Sequence, residues 1–180
     1  MIKYRLVFGL LFFVNLHVFS QNLDETKKNI IESIENHEEQ IIKISDKIWE
    51  LAETAFNEYE SSKLLSDYAE ANGFNLERGV AGMPTAFVAT YGQGRPVISV
   101  LGEFDALPGL SQDTTPTKKP LTEGGNGHGC GHNLFGAASL ASAIAIKEQI
   151  ENGNLKGTIK FFGTPSEEKF FGKIWMVDAG

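Results

Sequence analysis

The chain has 180 residues, 42% of them hydrophobic and 22% charged, with a formal net charge of −7. That length and balance fit one globular domain with a sizeable core. There is no basic stripe, which argues against nucleic acid or an anionic membrane surface as partner.

The first twenty residues are set apart from any core. Lys3 and Arg5 precede an apolar run over residues 6–19, broken only by Gly9, Asn15 and His17, and Val18-Phe19-Ser20 puts tolerated residues at −3 and −1 before Gln21. The run is short of the ~20 apolar residues of a spanning helix. The pattern therefore predicts a signal peptide over residues 1–20, cleaved after Ser20, and an exported, periplasmic or secreted, protein with no membrane segment in its mature form. Removing Lys3 and Arg5 leaves 14 basic against 23 acidic residues, net −9. An oxidising compartment favours disulfides, yet Cys130 is the single cysteine and cannot pair within the chain.

Over residues 24–56, Ile30, Ile34, Ile41, Ile44, Ile48, Leu51 and Ala55 recur at three- and four-residue steps, with His37 in the vacant place. This predicts one long amphipathic helix, on which His37 is a packed structural histidine. A second helix is expected over 58–72, stopped by Gly73. Two β-rich runs follow, TAFVATY at 85–91 and PVISVL at 96–101, separated by the turn GQGR. A polar loop over 110–123 leads into the glycine-dense GGNGHGCGH. A buried helix over 134–150, a strand over 157–162 and a helix from Gly172 complete the order. Strand, loop, helix, strand, loop, helix reads as α/β, a sheet with helices on its faces.

Ligands of such sheets gather at the carboxyl ends of the strands. Three polar clusters fall on that rim: EFD at 103–105, GHGCGH at 127–132 and TPSEE at 164–168. Thiolate, imidazole and carboxylate are transition-metal ligands, and Cys130 and His132 reach one centre if the glycines allow an irregular backbone. A lone cysteine is more often a small buried apolar group; the flanking histidines and the rim position favour a metal, which would also account for an unpaired thiol. Glu167 and Glu168 by themselves are a solvated helix start. Beside a metal, one would bind it and the other would take a proton from water. Asp105 fits either a turn cap before Pro108 or a group orienting a ligating imidazole.

The stretches GMPTAFVATYGQGRPVISVLGEFDALPGLSQ, NGHGCGHNLFG, GTIKFFGTPSEE and GKIWMV resemble the di-metal amidohydrolases, the family of aminoacylase, indole-acetyl-amino-acid hydrolases and glutamate carboxypeptidase, in its aminobenzoyl-glutamate branch. The resemblance covers nearly all of residues 45–180. It implies a mixed sheet with helices on both faces, a zinc-exopeptidase-like catalytic domain of which residues 21–180 are the N-terminal part. It also implies two divalent ions, zinc or manganese, and hydrolysis of an N-acyl amino acid such as aminobenzoyl-glutamate by metal-activated water. By position, Cys130, His132 and Glu168 match metal ligands, Glu167 the general base and Asp105 the aspartate supporting the site. His128 and Asn133 are left as substrate-contacting or supporting groups. Glu103 stands where many relatives carry a metal-binding histidine, so Cys130 takes over that ligation. Asn133 replaces a common aspartate, and Lys169-Phe170-Phe171 stands where small residues are usual. The family continues beyond the equivalent of Gly180 with further ligands and a dimerisation domain. The expectation is therefore a homodimer for the whole protein and an inactive fragment for residues 21–180 alone, with a non-catalytic metal-binding remnant or a general exopeptidase of the same family as the alternatives.

Overall fold

The computed structural model describes residues 2–180, with side chains from residue 25 onward. The expected signal peptide, residues 1–20, lies outside the residues whose side chains are described. Among the described residues no helix is long and apolar enough to cross a membrane.

The first helix, α1 (Ile2–Leu51), ends five residues before the expected boundary. Ala52 has φ 43°, a left-handed turn that breaks the helix, so Ala55 lies outside it. Of the predicted stripe, Ile44 and Ile48 are buried in the core and Ile41 packs against it, whereas Ile34 is exposed. The helix buries a face only where other elements reach it. His37 is structural, as expected: its Nε2–H donates to Glu148 Oε1 at 3.0 Å and its Nδ1 accepts from the Tyr68 hydroxyl at 2.6 Å. The second helix, α2 (Tyr59–Ala71), stops at Gly73, φ 86°.

The sheet has four strands: β1 (Asn75–Arg78), β2 (Phe87–Gln93), β3 (Val97–Glu103) and β4 (Gly157–Thr164). Their spatial order is β1-β2-β4-β3. β4 runs antiparallel to β2 and parallel to β3, so the sheet is mixed. The long helix α3 (His132–Glu151) is the crossover between β3 and β4. Two short helices, α4 (Glu167–Phe170) and α5 (Gly172–Asp178), follow β4. β1 was not expected, because Asn-Leu-Glu-Arg is a polar edge strand with little of the composition that marks a strand.

Phe87 and Ala89 of β2 and Ile159 and Phe161 of β4 join Leu140 and Ile144 of α3, Leu65 of α2, and Ile44 and Ile48 of α1 in one core. Each of the larger side chains contributes about 1.5–3 kcal/mol on burial. The expectation of helices on both faces is thus met on one face among the described residues. α1, α2 and α3 all contribute to that one core, whereas Val97 and Leu101 of β3 are exposed. α3 lies close on β3 because Gly136 has no side chain; a Cβ there would stand 2.6 Å from the Glu103 carbonyl oxygen. That approach sets the start of α3 against the end of β3.

Candidate metal centre

The parallel pair β3 and β4 ends on one rim, and the register places Glu103 opposite Thr164. Asp105 follows β3, Glu167 and Glu168 open α4 after β4, and Cys130 and His132 stand at the start of α3. Gly131, φ 85°, supplies the left-handed turn between the last two.

His132 is at the centre. It is buried, with Nδ1 2.9 Å from Asp105 Oδ1 and Nε2 2.9 Å from Glu103 Oε2. Its Nε2 is also 3.9 Å from Glu167 Oε2 and 3.9 Å from Glu168 Oε1. A carboxylate at each ring nitrogen suits a doubly protonated imidazolium. Burial alone would lower its pKa, but the Asp105 hydrogen bond and charge, followed by Glu103 and Glu168, carry the net shift upward. Asp105 is the reciprocal case: burial would raise it, while hydrogen bonds from His132 and the Glu168 N–H hold it below the usual range. Its Oδ2 accepts that N–H at 2.9 Å, so one carboxylate fixes both the imidazole and the glutamate segment.

Four carboxylates, Glu103, Asp105, Glu167 and Glu168, converge here on one imidazole, with Lys173 donating to Glu103 Oε1. Desolvation, then the charge of Glu168, pushes the Cys130 thiol up, and Glu167 and Glu103 act in the same direction. A divalent cation would reverse that sign, because it favours thiolate and carboxylate together. Two overlapping sets, Cys130–His132–Glu168 and Glu103–His132–Glu167, each keep their donor atoms within 4.8 Å of one another. Glu168 Oε1 is buried and has no hydrogen-bond partner. A buried carboxylate oxygen without a partner is costly, and beside a thiol and an imidazole it fits a metal ligand.

The sequence-predicted residues Asp105, Cys130, His132, Glu167 and Glu168 are therefore brought together. His128 and Asn133 stand apart from both donor sets. His128 Nε2–H donates to the Ile48 carbonyl at 3.0 Å, leaving Nδ1 buried and unpartnered, and burial lowers its pKa. The Asn133 amide donates to Ser45 Oγ at 3.2 Å, tying α3 to α1. A cleft of about 550 Å³, lined by Trp49, Leu110, Leu121, Asn126, His128 and Gly129 among others, includes none of the donor residues. Lys173 is a group at the cluster that the sequence did not mark. Glu103 was legible as the first residue of the EFD cluster and, through the resemblance, as the position of a histidine in many relatives, but not as the partner of His132 Nε2.

An α/β sheet that collects a thiol, an imidazole and carboxylates at the ends of parallel strands has the framework of a metallopeptidase. Residues 99–180 match the model of peptidase family M20/M25/M40. The chain is 45% identical over 161 residues to one of the subunits of the p-aminobenzoyl-glutamate hydrolase of Escherichia coli, covering 88% of this chain and 33% of that protein. Another of that hydrolase's subunits is 38% identical over 104 residues, 53% of this chain and 23% of that one. A solved Bacillus subtilis dinuclear metal-binding peptidase of family M20 superposes with a TM-score of 0.63 at 25% identity, covering 79% of this chain and 40% of the other. The chain spans about a third of the length of the first of these relatives.

Proposed function

We propose that this chain is the N-terminal part of a metal-dependent amidohydrolase that cleaves an N-acyl amino acid, with aminobenzoyl-glutamate as the leading substrate. The observation that carries the reading is the convergence of Cys130, His132 and Glu168 donors around a buried, unpartnered Glu168 oxygen. In this reading those three residues hold a divalent ion, zinc or manganese, and Glu103, on His132 Nε2, offers a donor toward a second. The ions, when bound, supply Lewis acidity that makes water more acidic and polarises the amide carbonyl. Asp105 holds His132 through Nδ1 and keeps Nε2 aimed into the cluster. Glu167, the more exposed of the two glutamates, takes the proton from the attacking water. The water oxygen bonds to the carbonyl carbon, the C–N bond breaks, and the proton passes from Glu167 to the departing amine.

The 45% identity to one E. coli hydrolase polypeptide supports the substrate class. That hydrolase has two different subunits, both similar to this chain, which favours a hetero-oligomeric assembly over the homodimer expected from the resemblance. Export, with cleavage after Ser20, remains part of the proposal and rests on the sequence of residues 1–20. The test is metal stoichiometry and turnover of the full-length protein, with and without a homologue of the second E. coli polypeptide, on N-acyl-glutamates and dipeptides. Stoichiometric metal and hydrolysis of the N-acyl-glutamates are expected. Preference for dipeptides would make it a general exopeptidase, and a full-length protein that binds no divalent metal would end the reading.

A further inference from the structure

Glu58, in the link between α1 and α2, is a buried carboxylate with no part in the chemistry above; it is 0% exposed. Its Oε1 accepts the backbone N–H of Ser166 at 2.9 Å, 108 residues away, and its Oε2 accepts the Thr85 hydroxyl at 3.1 Å. Ser166 is itself fully buried and left-handed, φ 56°, a conformation unfavourable for a residue with a side chain. Two residues on, Asp105 Oδ2 accepts the N–H of Glu168. The backbone on each side of Glu167 is thus gripped by a buried carboxylate, one before α2 and one after β3. Burial raises Glu58 to about 7. A desolvated acid whose hydrogen bonds a neutral side chain could also make is a costly device for packing alone.

We propose that Glu58 is a positioning residue for Glu167: by accepting the Ser166 N–H, it holds the left-handed turn that aims the Glu167 carboxylate at the donor cluster. The proposal rests on the reading of Glu167 as the base. It needs the hydrogen bonds of Glu58 and not its charge, since a glutamine would accept from Ser166 through Oε1 and donate to Thr85 Oγ through its amide nitrogen.

The experiment compares Glu58→Ala and Glu58→Gln in the full-length, metal-loaded enzyme. Glu58→Ala is expected to lose about 10²-fold in kcat, the scale of a misplacement near 1 Å, with KM and metal stoichiometry close to wild type. Amide hydrogen exchange over residues 164–170 should quicken. Glu58→Gln should restore both kcat and exchange to within a few-fold. An unchanged kcat in Glu58→Ala, unchanged exchange, or a glutamine variant as impaired as the alanine one would overturn the proposal. Should Glu58→Ala fail to fold, Thr85→Val loosens the same carboxylate and must lower kcat ahead of KM; an unaffected kcat there overturns it equally. If wild-type enzyme binds metal yet hydrolyses no N-acyl amino acid, the functional reading falls, and the exchange measurement still decides whether Glu58 holds the turn.

Discussion

Glu167 and Glu168 are neighbours in sequence but meet different surroundings, so exchanging each for glutamine should damage different steps. Glu168 has its N–H on Asp105 and its Oε1 buried without a partner, in the set with Cys130 and His132. Glu168→Gln replaces an anionic donor by a neutral amide and should weaken metal binding. Glu167 is about twice as exposed, with a side-chain accessibility of 37% against 19%, and is free to move a proton. Glu167→Gln should keep the metal and lose the base, a fall of about 10²–10⁴-fold in kcat. At 1.36 kcal/mol per decade this is about 3–5 kcal/mol of barrier, far above what a change of surface charge produces. The assay is metal content by elemental analysis and initial rates on an N-acyl-glutamate, both in the full-length enzyme. Loss of metal in Glu167→Gln with retention in Glu168→Gln would reverse the roles, a result the Glu103–His132–Glu167 set makes chemically reasonable. Full metal and full activity in both variants would refute the mechanism, leaving the pair as a solvated helix start.

Asp105→Asn keeps the shape but removes the charge shared by His132 Nδ1 and the Glu168 N–H, and should weaken metal affinity about 10–100-fold in a chelator competition; unchanged affinity would show that Asp105 does not orient the ligands. Glu58→Gln should change the pH dependence of metal-free stability. In the wild type the folded pKa is raised from 4.5 to about 7, so the unfolded chain releases this proton first and stability falls as pH rises between those values. Above pH 7 the glutamine variant should have gained about 3 kcal/mol relative to its standing below pH 4.5; denaturant curves with the same pH profile for both proteins would contradict this. Gly136→Ala should destabilise by about 1–3 kcal/mol despite alanine's better helix propensity, because its Cβ would meet the Glu103 carbonyl at 2.6 Å; a melting temperature at or above wild type would refute it. Alkylation of Cys130 should be slow with metal bound and faster after chelation, and equal rates would exclude ligation through sulfur.

The residue chemistry of the centre was legible in the sequence because each ligand type announces itself locally. A lone cysteine between histidines, set in glycines that permit φ 85° at Gly131, and a glutamate pair after a β-rich run are patterns of a few residues. Three- and four-residue spacing likewise marked the helix over 24–56, and α2 and α3 were legible nearly to their ends, α2 from its Gly73 stop, because these signals are properties of the local chain. What pairs with what depends on contacts between distant segments, and only the tertiary structure decided that. β2 and β3 are joined by the short turn GQGR and would ordinarily lie side by side, yet β4 inserts between them. It pairs parallel to β3, and this brings Glu168 onto Asp105 across 63 residues of sequence. That α1 joins the apolar core only from Ile41 onward depends on where α2 and α3 lie against it. Asn133 faces Ser45 and Glu58 reaches Ser166 for the same reason: a polar side chain takes whichever partner the fold leaves within about 3 Å, and no spacing along one segment records which partner that is.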